Sequence, residues 1–267
     1  MSEEPTRTLI AGNWKMHGLR AQLDEIDAMA CSVRERPGNL DVLVCVPATL
    51  IARAVQAADG LIAIGGEDCS AQEAGSFTGD IDAEMLRDAG ATSVIVGHSE
   101  RRRWHHETDA IVAAKAKAAW QQDLATIICL GETGAQRRDG NALKVCGEQL
   151  AASLPTIKAG ARISIAYEPL WAIGSGEIPT RDDIVAVLGH LRAALDTRFG
   201  SAARSIRMLY GGSVKPGNAR EILDTPHVDG MLIGGSSLLA VEFNAILDIA
   251  RERSPAANCP LAQDKLS

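Results

Sequence analysis

The chain has 267 residues, 46% of them hydrophobic and 23% charged, and carries a formal charge of −7 at pH 7 from 27 Lys and Arg against 34 Asp and Glu. This composition excludes disordered and fibrous chains. Its acidity argues against a nucleic-acid binder, whose signature is a basic stripe or patch; the one tight basic cluster is Arg101, Arg102 and Arg103.

Residues 1–9 hold two glutamates and no apolar core, so no secretory or transit signal is read there. From residue 8 onward, short apolar runs rich in Val and Ile alternate with longer amphipathic stretches. The runs are 8–11, 42–46, 61–64, 93–96, 126–130, 163–167, 206–210 and 230–233. Each is continuously apolar, the pattern of parallel strands buried on both faces. Helices are predicted between them, notably over 19–34, 108–121, 182–198 and 238–251. Thr180 with Asp183 three residues later reads as a cap, and Pro216 suits a first helical turn. Within 182–198 the residues Ile184, Val185, Leu188, Leu191 and Leu195 mark one packed face.

Eight such units at about 33 residues each match the size of a βα crossover module, and no linker divides the chain. The expected fold is a single closed (β/α)8 barrel over residues 1–253, with a doubly wound open sheet as the alternative. Residues 254–267, which have two prolines and no periodicity, are expected to be a poorly ordered extension. Six cysteines are scattered without a CxxC pair, as in reduced cytosolic proteins. No apolar run approaches the 18 or so residues of a membrane span, and a cytoplasmic location is expected.

In a barrel, function sits just beyond the C-terminal ends of the strands. The residues found there are Asn13 and Lys15 after the first run, His98, Ser99 and Glu100 after the fourth, Glu168 after the sixth, Gly211, Gly212 and Ser213 after the seventh, and Gly234 and Gly235 after the eighth. Taken singly, each has an ordinary explanation. Glu168 could make a barrel-mouth salt bridge, His98 could be structural, Lys15 a solvated surface lysine, Glu100 a helix cap, and the Gly-Gly pairs tight turns.

Six strings change the weighing: AGNWKM (11–16), VIVGHSERR (94–102), CLGET (129–133), YEPLWAIGSG (167–176), YGGSV (210–214) and LIGGSSL (232–238). In this order they strongly resemble the triosephosphate isomerase family, from the first strand to the last helix. The resemblance implies interconversion of dihydroxyacetone phosphate and D-glyceraldehyde 3-phosphate through an enediolate, in glycolysis and gluconeogenesis. It implies Glu168 as base, His98 as a neutral proton shuttle, Lys15 as a fixed cation, Asn13 as a substrate-holding residue and Glu100 as the partner of Lys15. Ile173 and Leu232 would press on the Glu168 carboxylate. The amides of Gly174, Ser213, Gly234 and Gly235 would cradle the phosphate, and a lid containing Leu170, Trp171, Ile173, Gly174, Ser175 and Gly176 would exclude water. Neither a cofactor nor a metal is implied.

A homodimer is implied as well, with the loop around Thr78 reaching the neighbouring site. Two departures stand out: Ser175 and Glu177 replace the usual Thr and Lys, and Glu67-Asp68 replaces Gln-Asn. Glu67 is expected near the subunit interface and to cost stability when ionised. His105, His106 and Glu107 could suggest a metal site, but the start of a helix is the stronger reading. Two other functions remain open: an isomerase of a larger phosphoketose such as a tetrulose phosphate, and a catalytically silent phosphate- or protein-binding barrel.

Overall fold

The computed structural model describes residues 7–157, 160–173 and 177–253. Eight strands follow one another in chain order: β1 (Thr8–Asn13), β2 (Leu40–Cys45), β3 (Ala63–Gly66), β4 (Ser93–Val96), β5 (Ala125–Leu130), β6 (Ile163–Tyr167), β7 (Arg207–Tyr210) and β8 (Gly230–Ile233). Each pairs in parallel with the next, and β8 pairs with β1 through Ile10 opposite Met231. The sheet is therefore a closed barrel, and the open-sheet alternative is excluded by that last pairing.

The helices are α1 (Leu23–Glu35), α2 (Ile51–Ala58), α3 (Ala83–Asp88), α4 (Ser99–Trp104), α5 (Asp109–Gln121), α6 (Gly134–Arg138), α7 (Ala142–Ser153), α8 (Arg181–Phe199), α9 (Pro216–Leu223) and α10 (Ala240–Arg251). Among the described residues, none is long and apolar enough to cross a membrane.

Strand side chains alternate between two cores. Leu9, Ala11, Leu43, Cys45, Ile127 and Leu209 belong to a cluster filling the barrel. Ile10, Val42, Val44, Ile128, Ile165 and Met208 belong to a larger one that packs the strands against the helices. Both faces are buried, which is why each strand reads as an unbroken apolar run.

Most predicted elements form within a residue or two. Thr180 and Asp183 make a reciprocal capping box at α8, and Pro216 opens α9. On α8 the buried face uses Val187 where the periodicity predicts Val185. The third strand lies two residues later than expected: Leu61 closes the turn after α2 by donating to the Ala58 carbonyl, and Gly65 and Gly66 are strand. A Cβ on Gly65 would lie 2.9 Å from the Ser93 carbonyl oxygen, so that glycine permits close approach of β4.

The segment 105–107 is not the start of a helix. It separates α4 from α5, with His105 at the C-terminal cap of α4 and His106 at φ 56°. Glu107 turns inward to accept from Lys115 Nζ and Arg101 Nε, both at 2.6 Å. A buried lysine is tolerable only when paired in this way, and Asp68 completes the set at 2.7 Å from Lys115 Nζ. No cluster of His, Cys, Asp and Glu suited to a metal occurs among the described residues. The expected extension, 254–267, lies outside them.

Candidate active site

The C-terminal ends of the strands open into a cleft of about 200 Å³ lined by Asn13, Lys15, His98, Glu168 and Ile173 on one side and by the loops after β7 and β8 on the other. Asn13, the last residue of β1, is buried, and its side-chain oxygen accepts from the Lys15 amide at 3.1 Å. This local bond supports Lys15 in a left-handed conformation, φ 57°, which a non-glycine residue adopts only when held there. Trp14 between them is anchored by its indole N–H to the Ser237 carbonyl at 2.9 Å, tying the end of β1 to the loop after β8. The Lys15 ammonium meets Glu100 Oε1 at 2.7 Å.

His98 is the N-cap residue of α4. Its Nδ1 accepts from the Glu100 amide at 3.3 Å, so the ring proton belongs on Nε2, which faces Glu168 Oε1 at 2.8 Å. The other Glu168 oxygen accepts from the Ser99 amide at 2.9 Å. Glu168 is only 2% exposed. Burial raises its pKa, but His98, the Ser99 amide and Lys15 outweigh that and hold the carboxyl below its ordinary value. For His98 the balance is reversed: burial lowers the pKa, and the adjacent Glu168 carboxylate brings it above normal.

Two glycines make room for Glu168. A Cβ on Gly131, just beyond β5, would fall 1.7 Å from the Glu168 carbonyl oxygen, and one on Gly211, beyond β7, would fall 3.1 Å from its Cγ. The far side of the cleft is lined by Ser213, Gly234 and Gly235. A 3-10 turn begins there, at Gly235–Ser237, and the first amides of such a turn have no acceptor within it. Ile173 and Leu232 also line the cleft with Glu168. Gly174, Ser175 and Gly176 lie outside the described residues.

The triosephosphate isomerase family model matches residues 8–250. The chain belongs to the triosephosphate isomerase family. It is 53% identical over 243 residues to triosephosphate isomerase of Afipia carboxidovorans, a match covering 91% of this chain and 97% of that protein. To that of Ruegeria pomeroyi it is 54% identical, covering 90% and 96%. The crystal structure of triosephosphate isomerase from Bartonella henselae superposes with a TM-score of 0.85 at 46% identity, covering 92% of this chain and all of that one.

Two supporting residues in this family member carry no functional signal in the sequence pattern. Glu132, fully buried, accepts from Trp171 Nε1 at 2.8 Å and from the Tyr167 hydroxyl at 3.1 Å, linking the end of β5 to the segment after β6. Its only mark is a place within CLGET. Arg102, in sequence merely part of a basic trio, donates to the carbonyls of Gly97 (2.8 Å) and Cys129 (3.2 Å), bracing the turn that carries His98.

Glu67 lies behind its own chain's Lys15. Its Oε1 is buried with no hydrogen-bond partner among the described residues. Burial pushes its carboxyl up to about 8, despite a backbone hydrogen bond from Lys15.

Proposed function

We propose that the chain interconverts dihydroxyacetone phosphate and D-glyceraldehyde 3-phosphate by proton transfer through an enediolate, serving glycolysis and gluconeogenesis. Glu168 is the base. Its carboxylate takes a proton from the carbon beside the carbonyl, the C–H electron pair forms the enediolate C=C bond, and the carbonyl π pair moves to oxygen. The Lys15 ammonium and His98 Nε2–H stabilise that oxygen, and His98 passes a proton between the two substrate oxygens. Glu168 then returns its proton to the neighbouring carbon. Asn13 holds Lys15 in place and Glu100 aligns its ammonium.

The observation that carries this reading is the convergence of a fully enclosed carboxylate, an Nε2-protonated imidazole and an ammonium in one cleft. In the resting arrangement Glu168 is held by Ser99 and His98, so it must leave both to reach substrate. That movement takes away the carboxylate that most raises the His98 pKa, leaving burial and Lys15, which lower it, against the weaker opposing pull of Glu100. Reaction therefore proceeds with the imidazole neutral, a tuning for which the triosephosphate isomerase family is itself the standard illustration.

The amides of Ser213, Gly234 and Gly235, with that of Gly174, bind the phosphate, and Leu170, Trp171, Ile173, Gly174, Ser175 and Gly176 belong to a lid that excludes water. Residues 1–253 act as one catalytic domain. The protein works as a homodimer in the cytoplasm, the Thr78 loop bracing the neighbouring Asn13 and Lys15. Supporting this are the exposed Phe77, Ile81 and Met85 in and beside that loop, and Met16, which is 96% exposed next to Lys15. Free thiols at Cys31, Cys45, Cys69, Cys129 and Cys146 suit a reducing compartment.

The decisive test is solvent proton exchange and turnover in Glu168→Gln. A drop in kcat of roughly 10²–10⁴-fold with substrate still bound is expected of a lost general base. Unchanged turnover would refute the assignment.

A further inference from the structure

Arg137, on α6, lies outside the cleft and has no part in the chemistry above. Three contacts converge on its guanidinium. It stacks on the Trp171 indole, with Cζ 4.5 Å from the ring centroid. Its Nη1 lies 3.4 Å from Glu132 Oε1, the oxygen that also receives the Trp171 indole N–H. Its Nη2 forms an ion pair with Asp183 Oδ1.

Asp183 is itself committed. Its Oδ2 accepts from the Thr180 amide at 2.9 Å, while the Thr180 hydroxyl accepts from the Asp183 amide at 3.2 Å. One side chain thus holds Trp171, where the chain leaves β6, and, through Asp183, residue 180, where it enters α8. Gly134 allows α6 this close: a Cβ there would be 3.3 Å from the Trp171 Cβ.

We propose that Arg137 is a positioning residue for the isomerisation, clamping both described ends of the β6–α8 connection. The clamp fixes the 3-10 turn Leu170–Ala172, and with it the placement of Ile173, which follows the turn, and of Glu168, which precedes it by way of Pro169. This inference rests on the catalytic reading given above. A planar guanidinium can stack and bridge two carboxylates at once, which an ammonium cannot. Partly exposed ion pairs contribute little to stability, whereas misplacing a reacting group by ~1 Å can cost about 10²-fold in rate. The effect of Arg137 therefore belongs in turnover.

The test compares Arg137→Gln, Arg137→Lys, Asp183→Asn and the Arg137→Gln/Asp183→Asn double variant in the intact protein. Asp183→Asn keeps an oxygen for the Thr180 amide, so it removes the ion pair while α8 stays capped. Arg137→Gln is expected to lower kcat by about tenfold, to weaken binding of 2-phosphoglycolate, an enediolate mimic, by a similar factor, and to leave the thermal midpoint nearly unchanged. Arg137→Lys should fall between it and the unsubstituted protein. The double variant should be no worse than Arg137→Gln alone, because the pair acts as one unit.

Turnover and inhibitor affinity in Arg137→Gln within about twofold of the unsubstituted protein would overturn the proposal, as would losses that multiply in the double variant. If the unsubstituted protein fails to isomerise triose phosphate, the catalytic reading is what fails. A competent enzyme indifferent to Arg137 defeats this inference alone.

Discussion

Replacing Glu67 by Gln tests the electrostatics beneath Lys15. The folded chain holds the Glu67 proton up to about pH 8, and the ordinary carboxyl value is 4.5. Between these limits the folded state binds more protons than the unfolded one, so stability falls as pH rises through the window. At about 1.4 kcal/mol per pH unit, the penalty is near zero at pH 4.5 and roughly 3 kcal/mol at pH 7, and it levels off above pH 8. Gln carries no charge at any of these pH values and avoids the penalty. For a domain of this size about 1 kcal/mol shifts the thermal midpoint by roughly 2–4 °C. Glu67→Gln should therefore raise the midpoint by roughly 6–12 °C at pH 7, and by little at pH 5. Circular dichroism melts at pH 5, 6, 7 and 8, at one fixed protein concentration, measure this directly. A gap between the two proteins that stays constant across that range would refute the reasoning.

Two further outcomes follow from the cleft. In His98→Gln, Glu168 loses the partner that most lowers its pKa, so the acid limb of the kcat/KM profile should move to higher pH; a limb that stays put or moves down contradicts the pairing. Gly131→Ala must push the Glu168 backbone aside, because the new Cβ would lie 1.7 Å from its carbonyl oxygen. It should destabilise the fold by about 1–3 kcal/mol or more and lower kcat, and an unaltered enzyme would show that the strand ends are not packed as described.

The positions of Lys15, His98 and Glu168 are legible in the sequence because strand ends in a barrel converge wherever the strands occur, so a run-by-run reading already places them at one mouth. The displacement of β3 has a tertiary cause: Gly65 and Gly66 look like a turn until β4 lies beside them. Segment 105–107 misleads because Glu107 responds to Lys115 and Arg101, which local periodicity does not register.

Alternating βα units, their caps and the chemical identity of the site were set by the sequence, since periodicity and capping act over a few residues. Closure through β1 and β8 was decided only by tertiary structure, as was the resting place of Glu168 on Ser99, 69 residues away. So were the burial of the Glu67 oxygen, unpartnered among the described residues, and the clamp of Arg137 across two helices. These depend on contacts between distant segments, and burial, charge and hydrogen bonding take their values only once those segments meet.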